Sequence, residues 1–220
     1  ASLAYLASAG AGKDGKAYSI KPNDGTGDFT FSRGSNLAAT RVGADGLIEK
    51  GRENLLLQSN NFDTGWSNSA TLTSGESGYD GSSDAWLLTK AASGDRARQV
   101  VSSSGVNTFS VYAKANTLNW IYVRFEISGL TGVYFDLNPS TTGSRIGQVD
   151  SNIISYNIQE IGNDWFRCSV SVNDSVNSVL LYGSDVSGGA FNSNLGSIYI
   201  QDAQLEIGLT ATDYIESGAS

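Results

Sequence analysis

Apolar and polar side chains alternate along residues 119–127, and this alternation constrains the fold more than any other sequence feature. One set of alternate positions holds Ile121, Val123, Phe125 and Ile127, and the other holds Trp120, Tyr122, Arg124 and Glu126. Successive side chains of a β-strand point to opposite faces, so the pattern predicts a strand with one buried face. The second face is aromatic and charged rather than simply polar, which makes it a candidate binding surface.

Short segments of the same kind, separated by turn residues, continue over most of the chain. The 220 residues include 26 glycines and 2 prolines, and no window has a sustained helical period. Many short strands with turns between them predict an all-β fold, a two-sheet antiparallel β-sandwich of jelly-roll or Greek-key topology. The expected inner-face residues are Phe109, Val111, Ile121, Val123, Phe125, Val133, Phe135, Phe166 and Val170.

Four local patterns give predictions about individual elements. Asp45-Gly46 between apolar residues predicts a hairpin, because both turn positions favour positive φ. The apolar run at residues 54–57 predicts a strand buried on both faces. Residues 96–102 and 107–114 are expected to pair across a Ser-Ser-Gly turn, and residues 211–215 to form a short closing strand.

The domain organisation follows from composition. We expect residues 1–27, which are rich in Gly, Ala and Ser, to form an extended N-terminal lead-in. Residues 28–220 are expected to form a single β-sandwich domain, with a hairpin segment at 28–53 and the jelly roll at 54–216. No repeat or strong linker divides this region.

Charge and residue usage exclude several functions. The net charge of −8 argues against nucleic acid, whose phosphates require a basic surface. No apolar run approaches the ~20 residues that span a bilayer, so we expect no membrane insertion. The chain has no histidine, which removes the usual base of Ser-His and Cys-His nucleophiles and the usual zinc ligand. The single Cys168 alternates with Phe166 and Val170 and is expected to be a buried thiol.

If the alternation holds across neighbouring strands, the outer face gathers aromatic and charged side chains. The candidate ligand-binding residues are Tyr112, Trp120, Tyr122, Arg124, Tyr134, Asp136, Trp165 and Arg167, with Lys114 beside them. Such a face suits a sugar, whose C–H faces stack on rings and whose hydroxyls need polar partners. Cover by another segment, for instance residues 1–27, or by a second subunit is the alternative.

Two further roles concern carboxylates. Asp202 alternates with Ile198 and Ile200 and is expected to point inward, where it needs a partner. A calcium ion shared with the loop at residues 61–63 would supply one, and an arginine or backbone group would do equally well. Asp136 and Glu126 share one face by parity, but glycoside hydrolysis also requires a suitable separation. Because this one acidic pair is the sole sign of catalysis and the sequence does not give its separation, we expect no enzymatic activity.

Several segments resemble a recurrent module of bacteriophage virion proteins. They include Ser32-Arg33-Gly34-Ser35, Asn163-Asp164-Trp165-Phe166-Arg167 and the Ala211-Thr212-Asp213-Tyr214-Ile215 segment that follows the last long strand. Residues 54–66 and 197–206 are also similar to concanavalin A-like and carbohydrate-binding jelly-roll modules, which often hold a structural calcium. The resemblance implies that Asp63 and Asp202 are the calcium ligands.

The residues and the resemblance together predict a non-catalytic glycan-binding module of a phage tail or head-fibre protein. Its expected location is the surface of the virion, and its expected partner is a glycan on the host surface. A structural virion component that packs against other subunits, for example as a homotrimer, is the alternative. A polysaccharide-degrading enzyme based on Asp136 and Glu126 is the third possibility.

Overall fold

A computed structural model of the chain describes residues 52–217 and four short strands before them. The chain divides into two units, Ala1–Gly34 and Ser35–Ser220. In the first unit, β1 (Gly12–Lys13) and β2 (Lys16–Ala17) pair antiparallel. The predicted boundary between residues 27 and 28 lies outside the described residues and stays a prediction.

The second unit begins with a small antiparallel pair and continues with eleven strands. Strand β3 (Thr40–Val42) pairs antiparallel with β4 (Ile48–Lys50), with Val42 opposite Ile48, so the two strands form the predicted hairpin, and its turn residues Asp45 and Gly46 lie outside the described residues. The remaining strands are β5 (Thr71–Glu76), β6 (Ala85–Lys90), β7 (Ala97–Ser103), β8 (Val106–Ala115), β9 (Trp120–Glu126), β10 (Leu130–Asp136), β11 (Ile146–Val149), β12 (Ile153–Gly162), β13 (Trp165–Asn173), β14 (Val176–Ser184) and β15 (Gly196–Ile207).

These eleven strands form two antiparallel sheets. The five-stranded sheet has the order β11-β10-β9-β14-β7, and the six-stranded sheet has the order β12-β13-β8-β15-β6-β5. The described residues contain no helix, and therefore none that could cross a membrane. The prediction of an all-β, two-sheet antiparallel sandwich of jelly-roll type is confirmed.

The core lies between the inner faces of the two sheets. Ile121, Val123 and Phe125 of β9 have no exposed surface, which confirms the parity predicted for this strand. Phe125 packs edge-on against Phe109 of β8, with ring centroids 6.3 Å apart, and so joins the two sheets. Full burial of such a side chain contributes about 1.5–3 kcal/mol, so this layer dominates the stability of the fold.

Strands β7 and β8 do not pair with each other, contrary to the prediction. β7 pairs with β14 in the five-stranded sheet, whereas β8 lies between β13 and β15 in the six-stranded sheet. Gly105, between them, has a φ of 79°, a left-handed conformation that favours glycine. The turn therefore carries the chain from one sheet to the other instead of closing a hairpin.

Two predicted strands are not strands. Residues 54–57 run beside β15, where the Asn54 side chain donates to Ala203 O (2.9 Å) and accepts from the Leu205 N–H (3.0 Å). Leu57 is 53% exposed, so the apolar run is not buried on both faces. Residues 211–215 are likewise irregular, and the Ile215 N–H donates to Gln204 Oε1 (2.7 Å). The first segment makes one backbone bond to β15, from the Leu55 N–H to Leu205 O (2.7 Å), and in both segments side-chain hydrogen bonds supply further contacts in place of a ladder.

Candidate functional site

The predicted ligand-binding residues do not share one face. Tyr112, Lys114, Trp165 and Arg167 belong to β8 and β13 of the six-stranded sheet, whereas Trp120, Tyr122, Arg124, Tyr134 and Asp136 belong to β9 and β10 of the five-stranded sheet. The outer faces of a two-sheet sandwich point away from each other. The expectation of a single aromatic surface was therefore wrong, because parity along a strand does not say to which sheet the strand belongs.

On the five-stranded sheet the aromatic side chains are buried beneath the loop after β14. Tyr122 stacks on Tyr134 with ring centroids 4.0 Å apart, and the two residues are 4% and 2% exposed. The Ala190 N–H of the loop donates to Tyr134 Oη (3.2 Å), and Tyr122 Oη donates to Asp150 Oδ2 (2.5 Å). Cover by another segment was the alternative interpretation of these rings, and on this face residues 185–191 provide it.

Arg124 lies within the same cluster. Its guanidinium carbon is 5.6 Å from the centroid of Tyr122, 5.9 Å from that of Tyr182 and 5.3 Å from that of Phe191 in the covering loop. Cations are attracted to aromatic faces at such distances, so Arg124 helps to hold the loop on the sheet. Its surroundings make it a structural residue of this cluster.

Asp136 and Glu126 stand at opposite ends of the β9–β10 pair. Asp136 is opposite Trp120 and Glu126 is opposite Leu130, so the two acids are six positions apart along the ladder, or about 20 Å. Glycosidase carboxyl pairs are separated by roughly 5–9.5 Å. Asp136 accepts from Thr141 Oγ1 (2.6 Å), and Glu126 accepts from Arg98 Nη2 (2.7 Å). The two acids thus do not form a hydrolytic pair.

On the six-stranded sheet the predicted aromatic residues form a second covered cluster. Tyr112 stacks on Tyr79 from the turn between β5 and β6, with ring centroids 3.9 Å apart, and Trp165 is only 2% exposed. The Arg167 guanidinium lies 5.3 Å from the centroid of Tyr112. Arg167 therefore marks the border between this cluster and the more open part of the same face.

A polar groove opens beside Arg167 on the outer face of β12 and β13. It encloses about 260 Å³ and is closed along one side by residues 209–211. Its floor consists of three cross-strand pairs that follow the register of the two strands: Ser155 with Ser171, Asn157 with Ser169, and Gln159 with Arg167. Alternate residues of a strand share a face, so the three pairs form successive rungs about 7 Å apart.

The sequence of β12 explains why this face is polar and open. β12 is the edge strand, and within it Ile158 packs against the core while its neighbours Asn157 and Gln159 are exposed on the other side. Register shifts occur only near its ends, at residues 153/155 and 160/162. The regular section between them holds the polar side chains in line.

Most of the polar groups in the groove are free to bind a ligand. The side chains of Ser155, Asn157, Gln159 and Ser169 make no hydrogen bond to any other described residue. Ser171 is already engaged, with its Oγ 2.7 Å from Thr108 Oγ1 and donating to Leu209 O (3.2 Å). The groove thus presents hydroxyls and carboxamides, which both donate and accept hydrogen bonds, on a sheet that fixes their positions.

Sequence reasoning identified Arg167 but missed the other groove residues. The signal that could have found them is the alternation of Ser155, Asn157 and Gln159 opposite Ser169 and Ser171 on the next strand. Polar alternation also describes any solvent-facing strand, and the wall at residues 209–211 has no periodic pattern. The groove forms only because the register of β12 and β13 aligns the polar side chains and residues 209–211 close one side.

The two predicted calcium ligands have separate surroundings. Asp63 is exposed and accepts a hydrogen bond from Thr64 Oγ1 (2.9 Å), whereas Asp202 is 6% exposed and accepts from Tyr79 Oη (2.9 Å). No group of three or more Asp, Glu, His or Cys side chains placed to hold a metal occurs in the described part of the chain. These surroundings fit a shared calcium poorly, and a calcium held by Asp63 and Asp202 stays a prediction.

Asp202 does not point into the core, as its alternation with Ile200 had suggested. The β15 register shifts between Gln201 and Gln204, and Asp202 has a φ of 52°, so a bulge turns the carboxylate toward Tyr79. Burial, opposed by the Tyr79 hydrogen bond and reinforced by the nearby charge of Asp84, raises the pKa of Asp202 to about 6. Its partner is a tyrosine hydroxyl rather than an arginine.

Comparisons with known proteins add a likeness of fold. No family model matches the chain, and no curated protein matches it significantly. The xylan-binding CBM22-1 domain of Paenibacillus barcinonensis Xyn10C is 16% identical with a TM-score of 0.43, over 74% of this chain and 99% of that one. TmCBM61, solved with β-1,4-galactotriose, is 14% identical with a TM-score of 0.34, over 70% and 97%.

A phage protein is among the similar structures. The enzymatically active domain of tailspike protein 4 of bacteriophage CBA120 is 17% identical with a TM-score of 0.36, and the match covers 67% of this chain. The match spans 20% of the length of that tailspike chain. At these identities the three likenesses concern the sandwich fold alone, which the strand order establishes independently.

Proposed function

We propose that this protein is a non-catalytic glycan-binding module and that the polar groove on β12 and β13 is its binding site. The observation that carries the proposal is the row of unengaged side chains in the groove, Ser155, Asn157, Gln159 and Ser169. Sugar hydroxyls both donate and accept hydrogen bonds, as carboxamides and serine hydroxyls do. The sheet already fixes the backbone that carries these groups, so binding has to order only their side chains.

The role that we propose for this binding is attachment of a phage particle to a glycan on the host surface. Support comes from the resemblance of several segments between residues 32 and 215 to virion modules. The distance between Asp136 and Glu126 supports the non-catalytic part of the proposal. In this proposal the module lies on the surface of the virion. The aromatic clusters on both sheets are covered by other segments, and in this proposal they do not serve as sugar platforms.

A glycan array with two variants tests the proposal. The wild-type protein is expected to bind at least one class of oligosaccharide, and the Asn157→Ala/Gln159→Ala double variant is expected to lose about tenfold or more in affinity, because each lost hydrogen bond contributes about 0.5–1.5 kcal/mol. Gln148→Ala, an exposed carboxamide on the five-stranded sheet, is the matched control and should bind as the wild type does. Absence of binding to any glycan would refute the function.

The exposed edge of β12 favours a second candidate, a structural virion component. β12 is ten residues long, contains no lysine or proline, and exposes 48% of Ile154 and 45% of Tyr156. Long unprotected edges pair readily with other chains. In this alternative a neighbouring subunit, such as another copy in a homotrimer, covers the edge. Light scattering would detect a stable oligomer that dissociates on Tyr156→Lys, and a strict monomer would argue against it.

A further inference from the structure

We infer that the groove selects a glycan with an anionic substituent and that Arg167 binds that substituent. The inference rests on the proposed glycan-binding function, since it specifies the class of sugar that the same groove takes. Arg167 is the one charged residue among those that line the groove in the described part of the chain. The other lining side chains offer hydroxyls, carboxamides and short apolar groups.

The charge of Arg167 is not neutralised by any carboxylate in the described part of the chain. No carboxylate of a described residue forms an ion pair with it, whereas Arg98, on the other sheet, pairs with Glu126 at 2.7 Å. The hydrogen bonds of Arg167 go to neutral acceptors, Ser110 Oγ (3.2 Å) and Thr212 O. A half-buried guanidinium without a counter-charge is a ready site for an oxyanion, and Nη1 of Arg167 donates no hydrogen bond to a described residue.

The position of Arg167 is fixed before any ligand binds. Its guanidinium lies over the Tyr112 ring, which is itself held by stacking on Tyr79, and the Thr212 carbonyl anchors one nitrogen. Its Nε is buried and has no hydrogen-bond partner. Arg167 lies opposite Gln159 in the register, so an anion there would be flanked by a carboxamide donor. Preorganisation of this kind reduces the entropy cost of binding.

The negative net charge of the protein means that a preference for an acidic glycan has to arise from a contact within the groove. With a net charge of −8, the chain as a whole repels a polyanion, so general electrostatic attraction does not explain preference for an acidic glycan. Any such preference must come from a single positively charged position in contact with the ligand. Removal of that one charge should then abolish the preference while leaving the neutral hydrogen bonds of the groove in place.

Matched pairs of oligosaccharides test the inference. The probes are galactose oligomers, galacturonate oligomers and 6-sulfated galactose oligomers, on an array that also carries other neutral and acidic pairs. Wild-type protein is expected to bind the anionic member of a pair about tenfold more tightly, as a charge-assisted hydrogen bond would give. Preference for the uronates alone or for the sulfates alone identifies which oxyanion the groove accepts.

Two variants separate the role of the charge from general effects. Arg167→Gln should bind both members of a pair equally, whereas Lys114→Gln, which removes a charge from the same sheet outside the groove, should keep the preference. Equal binding of both members by the wild type would overturn the inference and leave glycan binding standing. Failure to bind any glycan would overturn both. If Arg167→Gln does not fold, the wild-type comparison of each pair still decides, and Arg167→Lys should retain the preference.

Discussion

Asn157 of β12 lies directly opposite Ser169 of β13, and neither side chain is hydrogen-bonded to another described residue. The pair sits at the middle of the groove, between the Ser155–Ser171 pair and the Gln159–Arg167 pair. The aromatic side chains of the outer faces are covered instead, Tyr134 by the loop that contains Ala190 and Tyr112 by Tyr79. This contrast is the reason for placing the binding site in the groove.

The Tyr122 ring should matter for stability and not for glycan binding. Tyr122→Ala removes a ring that is 4% exposed and stacked on Tyr134, and we expect a loss of about 3 kcal/mol in the free energy of unfolding. Chemical denaturation measures the loss. Tyr156→Ala, which truncates a tyrosine that is 45% exposed, is the matched control and should cost well under about 1 kcal/mol.

Glycan affinity of the folded Tyr122→Ala protein gives the second readout. The groove lies on the other sheet, so the affinity should equal that of the wild type. A large loss of affinity without a loss of stability would instead return the binding site to the face of Trp120, Tyr122 and Arg124, where the sequence alone had placed it.

Asp202 should make the stability depend on pH. Its pKa is raised to about 6 in the folded state from 3.8, chiefly by burial, so the folded protein binds this proton more tightly than the unfolded chain does. The stabilisation from protonation is complete below pH 3.8 and is lost as the pH rises through about 6. Relative to Asp202→Asn, the wild type should therefore lose on the order of 2 kcal/mol between pH 4 and pH 7.

Denaturant unfolding of both proteins across this pH range measures the difference. Asp63→Asn removes an exposed carboxylate and serves as the control, and it should follow the wild-type pH dependence. Parallel pH curves for the wild type and Asp202→Asn would contradict the account. The same titration with added calcium would reveal a metal site, since calcium would stabilise the wild type and not Asp202→Asn.

The Cys168 thiol should be unreactive in the folded protein. The residue has no exposed surface, and burial raises the pKa of its thiol, so little thiolate is present near neutral pH. A disulfide reagent such as DTNB should modify it only as fast as the protein unfolds. Rapid modification without denaturant would indicate that β13 opens more easily than its place between β12 and β8 implies.

The sequence predicted the β-sandwich and which side chains of a strand face its core. Ile121, Val123 and Phe125 are buried as their alternation indicated, because local periodicity reports which side of a strand is apolar. The same periodicity does not report which sheet a strand joins, so the single outer face was wrong. Periodicity also does not reveal where a strand contains one extra residue. The bulge at Asp202 is such a place, and it reversed the expected direction of that carboxylate.

The binding site was the least predictable part. The coverings over Tyr122 and Tyr112 come from irregular residues near positions 190 and 79, whose sequences carry no strand or helix pattern. The groove arises where such a segment, residues 209–211, stops short of the edge strand. These are packing relations between distant parts of the chain, and one sequence does not encode them in any local pattern.

Mapping the contact surface of a bound oligosaccharide by NMR tests the central claim most directly. On titration of the wild-type protein with the tightest glycan from the array, the side-chain amide signals of Asn157 and Gln159 should shift most. The signals of Gln148 and of the Trp120 indole should stay in place. Shifts centred on Trp120 and the five-stranded sheet, with Asn157 and Gln159 unmoved, would contradict the account.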